Sequence, residues 1–137
     1  MYTKTDLLVQ DVMLELELVP KIDERGLFKE ALEIMDMKGL GIICIVSEDY
    51  SLSGIITDGD IRRMLNSVQK PFAALMTDDA ITHAVRRPLT TGPQTKLKEA
   101  VELMGRHKIW DLPVVRDEKL VGLLHLHPAI KRVLEFE

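Results

Sequence analysis

The chain contains one helical stretch twice, as FKEALEIM at residues 28–35 and as LKEAVELM at residues 97–104. In both copies, apolar residues recur at positions i, i+3, i+4 and i+7, the pattern of an amphipathic helix. The same offset of 69 residues, from 28 to 97, places Ile45-Val46 on Val114-Val115. One deleted residue in the following turn then aligns Gly54-Ile55-Ile56 with Gly122-Leu123-Leu124. We therefore predict two copies of one unit, over residues 9–65 and 81–134.

Each copy predicts the same order of elements. In the first copy the helix is followed by the β-branched run Ile42–Val46, which suits a strand buried on both faces. The polar residues 47–51 predict a hairpin turn, and residues 52–56 return as a second strand. Apolar spacing then predicts a second helix, and a short extended segment precedes each unit, at residues 19–22 and 89–91.

The predicted fold class is α+β, with two small sheets that each carry two helices. A unit of about 55–60 residues can hardly cover its own sheet, so we expect the two units, at residues 1–70 and 71–137, to pack with pseudo-twofold symmetry. Such symmetry would create two equivalent clefts between the sheets, where ligands are expected to bind.

Composition excludes several classes of partner. The 137 residues include 22 acidic and 18 basic side chains, a formal net charge of −4, and only 4% aromatic residues. This balance lacks the basic footprint of nucleic-acid or membrane-surface binding and the aromatic platforms that stack on single strands. The single cysteine, Cys44, lies in an apolar run, and the sequence has neither a leader nor a membrane-spanning stretch. We therefore expect a cytoplasmic protein with no disulfide, no nucleic-acid partner and no membrane.

No group of residues has the pattern of a catalytic centre. The sequence has no nucleophile beside a base, no glycine-rich phosphate loop and no paired carboxylates outside ordinary helix surfaces. We predict that this chain alone is not an enzyme and that it has no catalytic residue.

The repeated unit resembles a CBS domain (cystathionine-β-synthase type), and the whole chain resembles a tandem pair of them. The resemblance is carried by the helix before Ile42–Val46, by Gly54-Ile55-Ile56 and by Thr57-Asp58-Gly59-Asp60 before a helix. In the second copy, residues 109–115 match the apolar-Pro-Val-Val strand of that family.

A finer resemblance comes from Thr57-Asp58-Gly59-Asp60-Ile61-Arg62-Arg63, Asp11-Val12-Met13 and Leu124-His125-Leu126-His127. These segments are similar to the C-terminal CBS pair of bacterial arabinose-5-phosphate isomerases. In that family an N-terminal sugar-isomerase domain, missing here, interconverts ribulose 5-phosphate and arabinose 5-phosphate on the route to Kdo, a lipopolysaccharide sugar. The resemblance implies a regulatory module of such an isomerase that senses a nucleotide or sugar nucleotide and forms a homodimer through its CBS pairs. There are two alternatives. One is a CBS pair of a sugar nucleotidyltransferase, since such pairs share the segment at residues 57–63. The other is a purely structural dimerisation module with empty clefts.

The resemblance also implies a ligand site in the first copy. Asp60 would accept hydrogen bonds from the two ribose hydroxyls of a nucleotide, and Thr57 with nearby N–H groups would contact its phosphate. The ligand would be AMP, ATP or cytidine-activated Kdo, with no required cofactor. The apolar backbone expected to flank the base belongs to Gly41, Ile42, Ile43, Ile55 and Ile56. The spacing of Thr57 and Asp60 also fits a helix capping box, which explains both residues structurally.

Two pairs of arginines could recognise an anionic ligand, because guanidinium groups bind phosphate bidentately. They are Arg62-Arg63 and Arg86-Arg87. We interpret Arg63 as a solvated helix residue and favour Arg86 or Arg87, since the segment that precedes the second unit is expected to line the cleft.

The second copy departs from the ligand-binding pattern. His125 and Pro128 stand where the first copy has Thr57 and Asp60, so we expect unequal clefts. His125 and His127 could face one side of a strand and chelate zinc, but no further ligands have a telling spacing, and we predict no metal site. Trp110, aligned with Gly41, could stack on a base or cover a partner chain in a dimer; the dimer contact is the favoured interpretation.

Overall fold

The computed structural model describes residues 7–135. The chain divides into two compact units. We call Val19–Pro88 the central unit, and residues 7–18 together with 89–135 the terminal unit. The bounds of these units differ from the predicted repeats, because the opening residues fold with the second copy and residues 71–88 fold with the first. The division at 1–70 and 71–137 stays a prediction about the sequence repeat.

The helices and strands follow the predicted order in both copies. In chain order they are β1 (Leu14–Glu15), β2 (Lys21–Asp23), α1 (Phe28–Lys38), β3 (Ile42–Val46), β4 (Leu52–Thr57), α2 (Asp58–Ser67), α3 (Phe72–Met76), α4 (Leu97–His107), β5 (Asp111–Arg116), β6 (Lys119–His125) and α5 (Leu126–Glu135). Three 3₁₀ turns lie at Val9–Asp11, Leu16–Leu18 and Ala80–His83. The helices α1 and α4 begin and end at aligned residues, which confirms the repeat and the α+β fold class.

The central unit has a three-stranded sheet in the order β2-β3-β4. Strand β2 runs parallel to β3, and β3 runs antiparallel to β4. All five residues of β3 are buried, as the β-branched run predicts. The helix α1 covers one face of this sheet with residues spaced at helical period. The resulting core includes Phe28, Ala31, Met35, Ile43, Ile45 and Ile56.

The terminal unit repeats this arrangement with a different edge strand. Its sheet has the order β1-β6-β5, and β1 pairs antiparallel with β6. On the other side of β5, Thr91 forms a parallel bridge with Val114, so the predicted extended segment before the second unit contributes one bridged residue. The aligned core residues from α4, β5 and β6 include Leu97, Ala100, Met104, Leu112, Val114 and Leu124.

The two hairpins differ by one residue in the turn, as the alignment predicts. Val46 pairs with Leu52 across residues 47–51, whereas Val115 pairs with Leu120 across residues 116–119. Both ladders also shift register at aligned positions, between Ile45 and Val46 in the first hairpin and between residues 114 and 115 in the second. The shared irregularity confirms that the hairpins are equivalent.

None of the helices within residues 7–135 combines the length and the apolar character that crossing a membrane requires.

Candidate functional site

The predicted capping box forms at the junction of β4 and α2. The Asp60 N–H donates to Thr57 Oγ1 over 3.2 Å, and the Thr57 N–H donates to Asp60 Oδ2 over 3.0 Å. The Thr57 hydroxyl lies 2.9 Å from the same Oδ2. These contacts fix both side chains at the first turn of the helix, with the Asp60 side chain 15% exposed. Capping therefore accounts for Oδ2, and Oδ1 remains for another partner.

Arg63 supplies that partner. Its Nη2 lies 2.8 Å from Asp60 Oδ1, and its side chain is 62% exposed. The guanidinium lies over Gly59, because a Cβ built on that glycine would come within 3.2 Å of Nη2. The Arg63 side chain is thus largely exposed on the helix surface, as predicted, and it also pairs with Asp60 at the start of α2.

Gly41 lies at the same end of the β3–β4 hairpin. Its carbonyl oxygen accepts the Asp58 N–H over 3.0 Å, and the next residue, Ile42, pairs with Thr57. A Cβ on Gly41 would approach Asp58 Oδ2 to 2.5 Å, so glycine leaves room for that carboxylate. The structure thus brings together Gly41, Ile42, Thr57 and Asp60.

The other apolar residues of the predicted site have buried or partly buried side chains. Ile43 and Ile56 are at most 1% exposed and belong to the core of the central unit, and Ile42 is fully buried. Ile55 is half-buried, and its N–H and carbonyl group bond to Val85 at 3.0 and 2.8 Å. Because these exposures are for whole residues, the backbone of Ile42, Ile43 and Ile56 is as buried as their side chains. That their backbone flanks a base stays a prediction.

Arg86 and Arg87, the two arginines expected to line the cleft, follow a residue that pairs with the middle of β4. Val85 bridges Ile55 antiparallel, so the chain after it heads toward Ser53 and away from Thr57. Arg86 and Arg87 are exposed, and neither forms an ion pair with any residue between 7 and 135. Within the central unit, their backbone is thus placed apart from the Thr57–Asp60 junction.

The terminal unit keeps the backbone of this junction and changes its side chains. The Leu126 N–H donates to the Trp110 carbonyl oxygen over 2.8 Å, at the positions aligned with Asp58 and Gly41. His125 Nδ1 lies 2.7 Å from Asp111 Oδ1, and the Asp111 side chain is 8% exposed. This pair is not predicted from the sequence above, although its two polar residues align with Ile42 and Thr57 of the first copy. Pro128 has no N–H and no carboxylate, so no capping box can form here.

No group of three or more His, Cys, Asp or Glu side chains within residues 7–135 could hold a metal ion. His125 is instead engaged by Asp111. Trp110 is 69% exposed, and both of its interpretations stay predictions.

Shallow depressions occur at aligned places in the two units, away from the junction. In the central unit, a depression of about 410 Å³ is lined by Asp23, Glu24, Arg25, Ser47, Glu48 and Asp49. In the terminal unit, one of about 570 Å³ is lined by Gly92, Pro93, Gln94, Thr95, Val115 and Arg116. The acidic lining of the first makes it a poor site for a phosphorylated ligand, and the Arg25–Glu48 ion pair at 3.0 Å neutralises its one cation. We therefore keep the Thr57–Asp60 junction as the candidate site.

A second charged network lies in the segment between the repeats. Lys70 Nζ contacts both oxygens of Asp78 at 2.9 Å, and His83 Nε2 contacts one of them at 2.9 Å. Hydrogen bonds from Lys70 and then His83 lower the pKa of the Asp78 carboxyl below its ordinary value. The Phe28 N–H also donates to the Asp78 carbonyl oxygen over 2.8 Å, so this network holds the segment against α1.

Comparison with known proteins finds both a named isomerase and an uncharacterized protein among the relatives. Arabinose 5-phosphate isomerase KdsD of Salmonella typhi is 30% identical over 127 residues, which is 90% of this chain and 36% of that protein. An uncharacterized protein of Helicobacter pylori (strain ATCC 700392 / 26695) is 35% identical over 120 residues, 82% of this chain and 33% of that protein. The chain thus spans about a third of the length of these curated relatives.

Solved structures share the fold. CBSX2 in complex with AMP has a TM-score of 0.81 at 24% identity, covering 93% of this chain and 96% of that one. The CBS domain pair of protein MJ0100, in complex with 5′-methylthioadenosine and S-adenosyl-L-methionine, has a TM-score of 0.76 at 23% identity, covering 94% and 96%. The family model of the CBS domain matches twice, over residues 9–67 and 73–127. The chain therefore belongs to the CBS domain family, and it carries two CBS domains in tandem.

Proposed function

We propose that this chain is the regulatory, nucleotide- or sugar-nucleotide-sensing CBS pair of an arabinose-5-phosphate isomerase in Kdo and lipopolysaccharide biosynthesis. The similarity to KdsD, which extends over 90% of this chain, supports the assignment. CBS domains are not catalytic, so the interconversion of ribulose 5-phosphate and arabinose 5-phosphate would belong to a sugar-isomerase domain outside these residues. The pair would act as a cytoplasmic homodimer.

The observation that carries the ligand proposal is the Asp60 carboxylate, held at the start of α2 by the capping box. Oδ2 is fixed by Thr57, whereas Oδ1 faces an exposed arginine that can rotate away. A carboxylate in this position can accept hydrogen bonds from the vicinal hydroxyls of a ribose. Thr57 and the N–H groups of the first turn would then be close to the phosphate.

Adenosine-containing ligands are the first class to test. The ligands of the CBSX2 and MJ0100 structures, AMP, 5′-methylthioadenosine and S-adenosyl-L-methionine, all contain adenine attached to a ribose ring. We propose AMP or ATP for this chain, with cytidine-activated Kdo as an end-product alternative. The terminal unit lacks the capping box, so we expect one ligand per chain, bound at the first copy.

Ligand binding would act on an isomerase domain by favouring one of two arrangements of the CBS pair. A ligand shifts such an equilibrium only through a difference in its affinity for the two states. The proposal therefore requires measurable binding before any effect on activity.

Isothermal titration calorimetry of the chain with AMP, ATP and cytidine-activated Kdo tests the site. Asp60→Asn keeps the shape of the side chain and removes its charge, and we expect it to weaken binding at least about tenfold, since a hydrogen bond to a charged group contributes about 1.5–3 kcal/mol. Glu30→Gln is the matched control, because Glu30 Oε1 accepts the Leu27 N–H over 2.9 Å at the start of α1, as Asp60 accepts the Thr57 N–H at the start of α2. Binding by none of the three compounds, or equal binding by the wild type and Asp60→Asn, contradicts the proposal and favours a structural dimerisation module.

A further inference from the structure

Arg63 holds the one oxygen of Asp60 that the capping box leaves available. The distance from Nη2 to Oδ1 is 2.8 Å, with the arginine 62% and the aspartate 15% exposed. Gly59 makes this position accessible, because Nη2, Nη1 and Cζ lie 3.2, 3.3 and 3.5 Å from where a Cβ on that glycine would be. The guanidinium therefore lies directly on the first turn of α2.

The charges of this turn make the arginine decisive for a phosphorylated ligand. Asp58 and Asp60 both lie in the first turn of α2, where their negative charges compensate the partial positive charge of the helix N-terminus. Without a cation, two carboxylates would repel a phosphate placed beside them. Arg63 is the cation paired with Asp60 at this turn, so its charge offsets part of that repulsion.

We propose that Arg63 is the residue that makes this site select phosphorylated nucleosides over unphosphorylated ones. This inference rests on the proposed function, because it concerns the same Asp60 site. When ribose hydroxyls donate to Asp60, they displace the guanidinium from Oδ1, and it turns to the phosphate of the ligand. A guanidinium can bind phosphate through two parallel hydrogen bonds.

The exchange couples two parts of the ligand. When AMP binds, Arg63 loses its ion pair with Asp60 and forms a new one with the phosphate. When adenosine binds, Arg63 loses the same pair and gains no anionic partner. The site should therefore bind AMP at least about tenfold more tightly than adenosine, since a charge-assisted pair contributes more than a neutral hydrogen bond.

Calorimetric titrations of AMP and adenosine test this inference with matched variants. In Arg63→Gln we expect the ratio of the two dissociation constants to fall close to one through loss of AMP affinity, with adenosine binding unchanged or tighter. Arg63→Lys keeps the charge without the bidentate geometry and should give an intermediate ratio. Arg25→Gln is the control, because Arg25 pairs with Glu48 at 3.0 Å beside the turn at the opposite end of the β3–β4 hairpin. It should leave the ratio at its wild-type value.

The outcomes separate this inference from the proposed function. If the wild type binds neither AMP nor adenosine, the role of Arg63 is overturned. The proposed function fails as well only if ATP and cytidine-activated Kdo also do not bind. If the wild type binds AMP and Asp60→Asn weakens that binding, but Arg63→Gln keeps the wild-type ratio or weakens both compounds equally, the role of Arg63 alone is overturned. Circular dichroism spectra that match the wild type show that each variant is folded.

Discussion

Replacing glycine by alanine should lower the free energy of unfolding at Gly54 and Gly39 and raise it at Gly105, because the surroundings of the added methyl group differ. At Gly54, an added Cβ would lie 2.9 Å from the Val85 carbonyl oxygen and 3.2 Å from Ala84 Cβ. Gly54→Ala must push this segment away and weaken the two Ile55–Val85 hydrogen bonds, at 3.0 and 2.8 Å. Overpacking costs about 1–3 kcal/mol, and the lower chain entropy of alanine returns up to about 1 kcal/mol. The closest atom belongs to the backbone and cannot move as easily as the end of a side chain, so we expect a cost of about 3 kcal/mol and a net loss of about 2 kcal/mol.

The other two glycines have open space. Nothing lies within 4 Å of a Cβ at Gly39, but its φ of +71° is in the left-handed region, so Gly39→Ala costs about 1 kcal/mol through the backbone alone. Gly105 is exposed in the last turn of α4, with nothing within 4 Å of its Cβ. Gly105→Ala should stabilise by up to about 1 kcal/mol, because alanine has the higher helix propensity.

Urea unfolding of the three variants provides the measurement, with the free energy of unfolding extrapolated to water. Circular dichroism follows both units, and the fluorescence of Trp110, the single tryptophan, follows the terminal unit. Coincident transitions justify a single free energy of unfolding; otherwise each unit is compared by its own signal. The argument is refuted if Gly54→Ala is no less stable than Gly39→Ala, or if Gly105→Ala loses stability.

Three further predictions concern the charge of Asp78, the hairpin turn at Glu118 and the helix cap at Thr57. Because hydrogen bonds from Lys70 and His83 lower the pKa of Asp78, its stabilising effect is present above the unfolded value of 3.8 and is lost as the pH falls through the lower folded pKa. The stability difference between wild type and Asp78→Asn should therefore vanish in acid and be constant near neutrality, as followed by urea unfolding against pH. Glu118 has φ +68° in a two-residue hairpin turn, so Glu118→Gly should raise the free energy of unfolding by about 0.5 kcal/mol; an unchanged value would contradict this. Thr57→Ala should lose about 1 kcal/mol and Thr57→Ser much less, because serine keeps the capping oxygen; equal losses in thermal unfolding would show that the cap does not stabilise α2.

Sequence periodicity was sufficient for the regular elements, because helices and buried strands bury side chains at fixed spacing. It predicts the aligned helices α1 and α4, the alignment of the repeat predicts the one-residue deletion in the hairpin, and the Thr-x-x-Asp spacing predicts the Thr57–Asp60 capping box. It did not predict α3, which has five residues in the connecting segment, or β1, which has two. Elements this short contain too few residues for a period to show.

Features of the site that linear spacing does not predict arise from contacts between residues that are distant in sequence. The pair Asp111 and His125 is set by the register of β5 and β6, and the direction of the chain after Val85 is set by its bridge to Ile55. That bridge requires the bare backbone at Gly54. Linear spacing does not encode which strand edge a loop will meet, and the role of Arg86 and Arg87 in binding an anion stays a prediction.

The comparison between the two copies bears on why Asp60 is present. Helices α2 and α5 each have ten residues and start at the same backbone junction, with N–H to carbonyl distances of 3.0 Å from Asp58 to Gly41 and 2.8 Å from Leu126 to Trp110. Yet α5 begins without a capping box, since Pro128 stands where α2 has Asp60. The fold of this unit therefore forms without that carboxylate, and capping alone does not explain a partly buried acid whose remaining oxygen is held by an exposed arginine. The proposed role in ligand binding would account for Asp60, whereas the second copy has the Asp111–His125 pair at the corresponding strand ends.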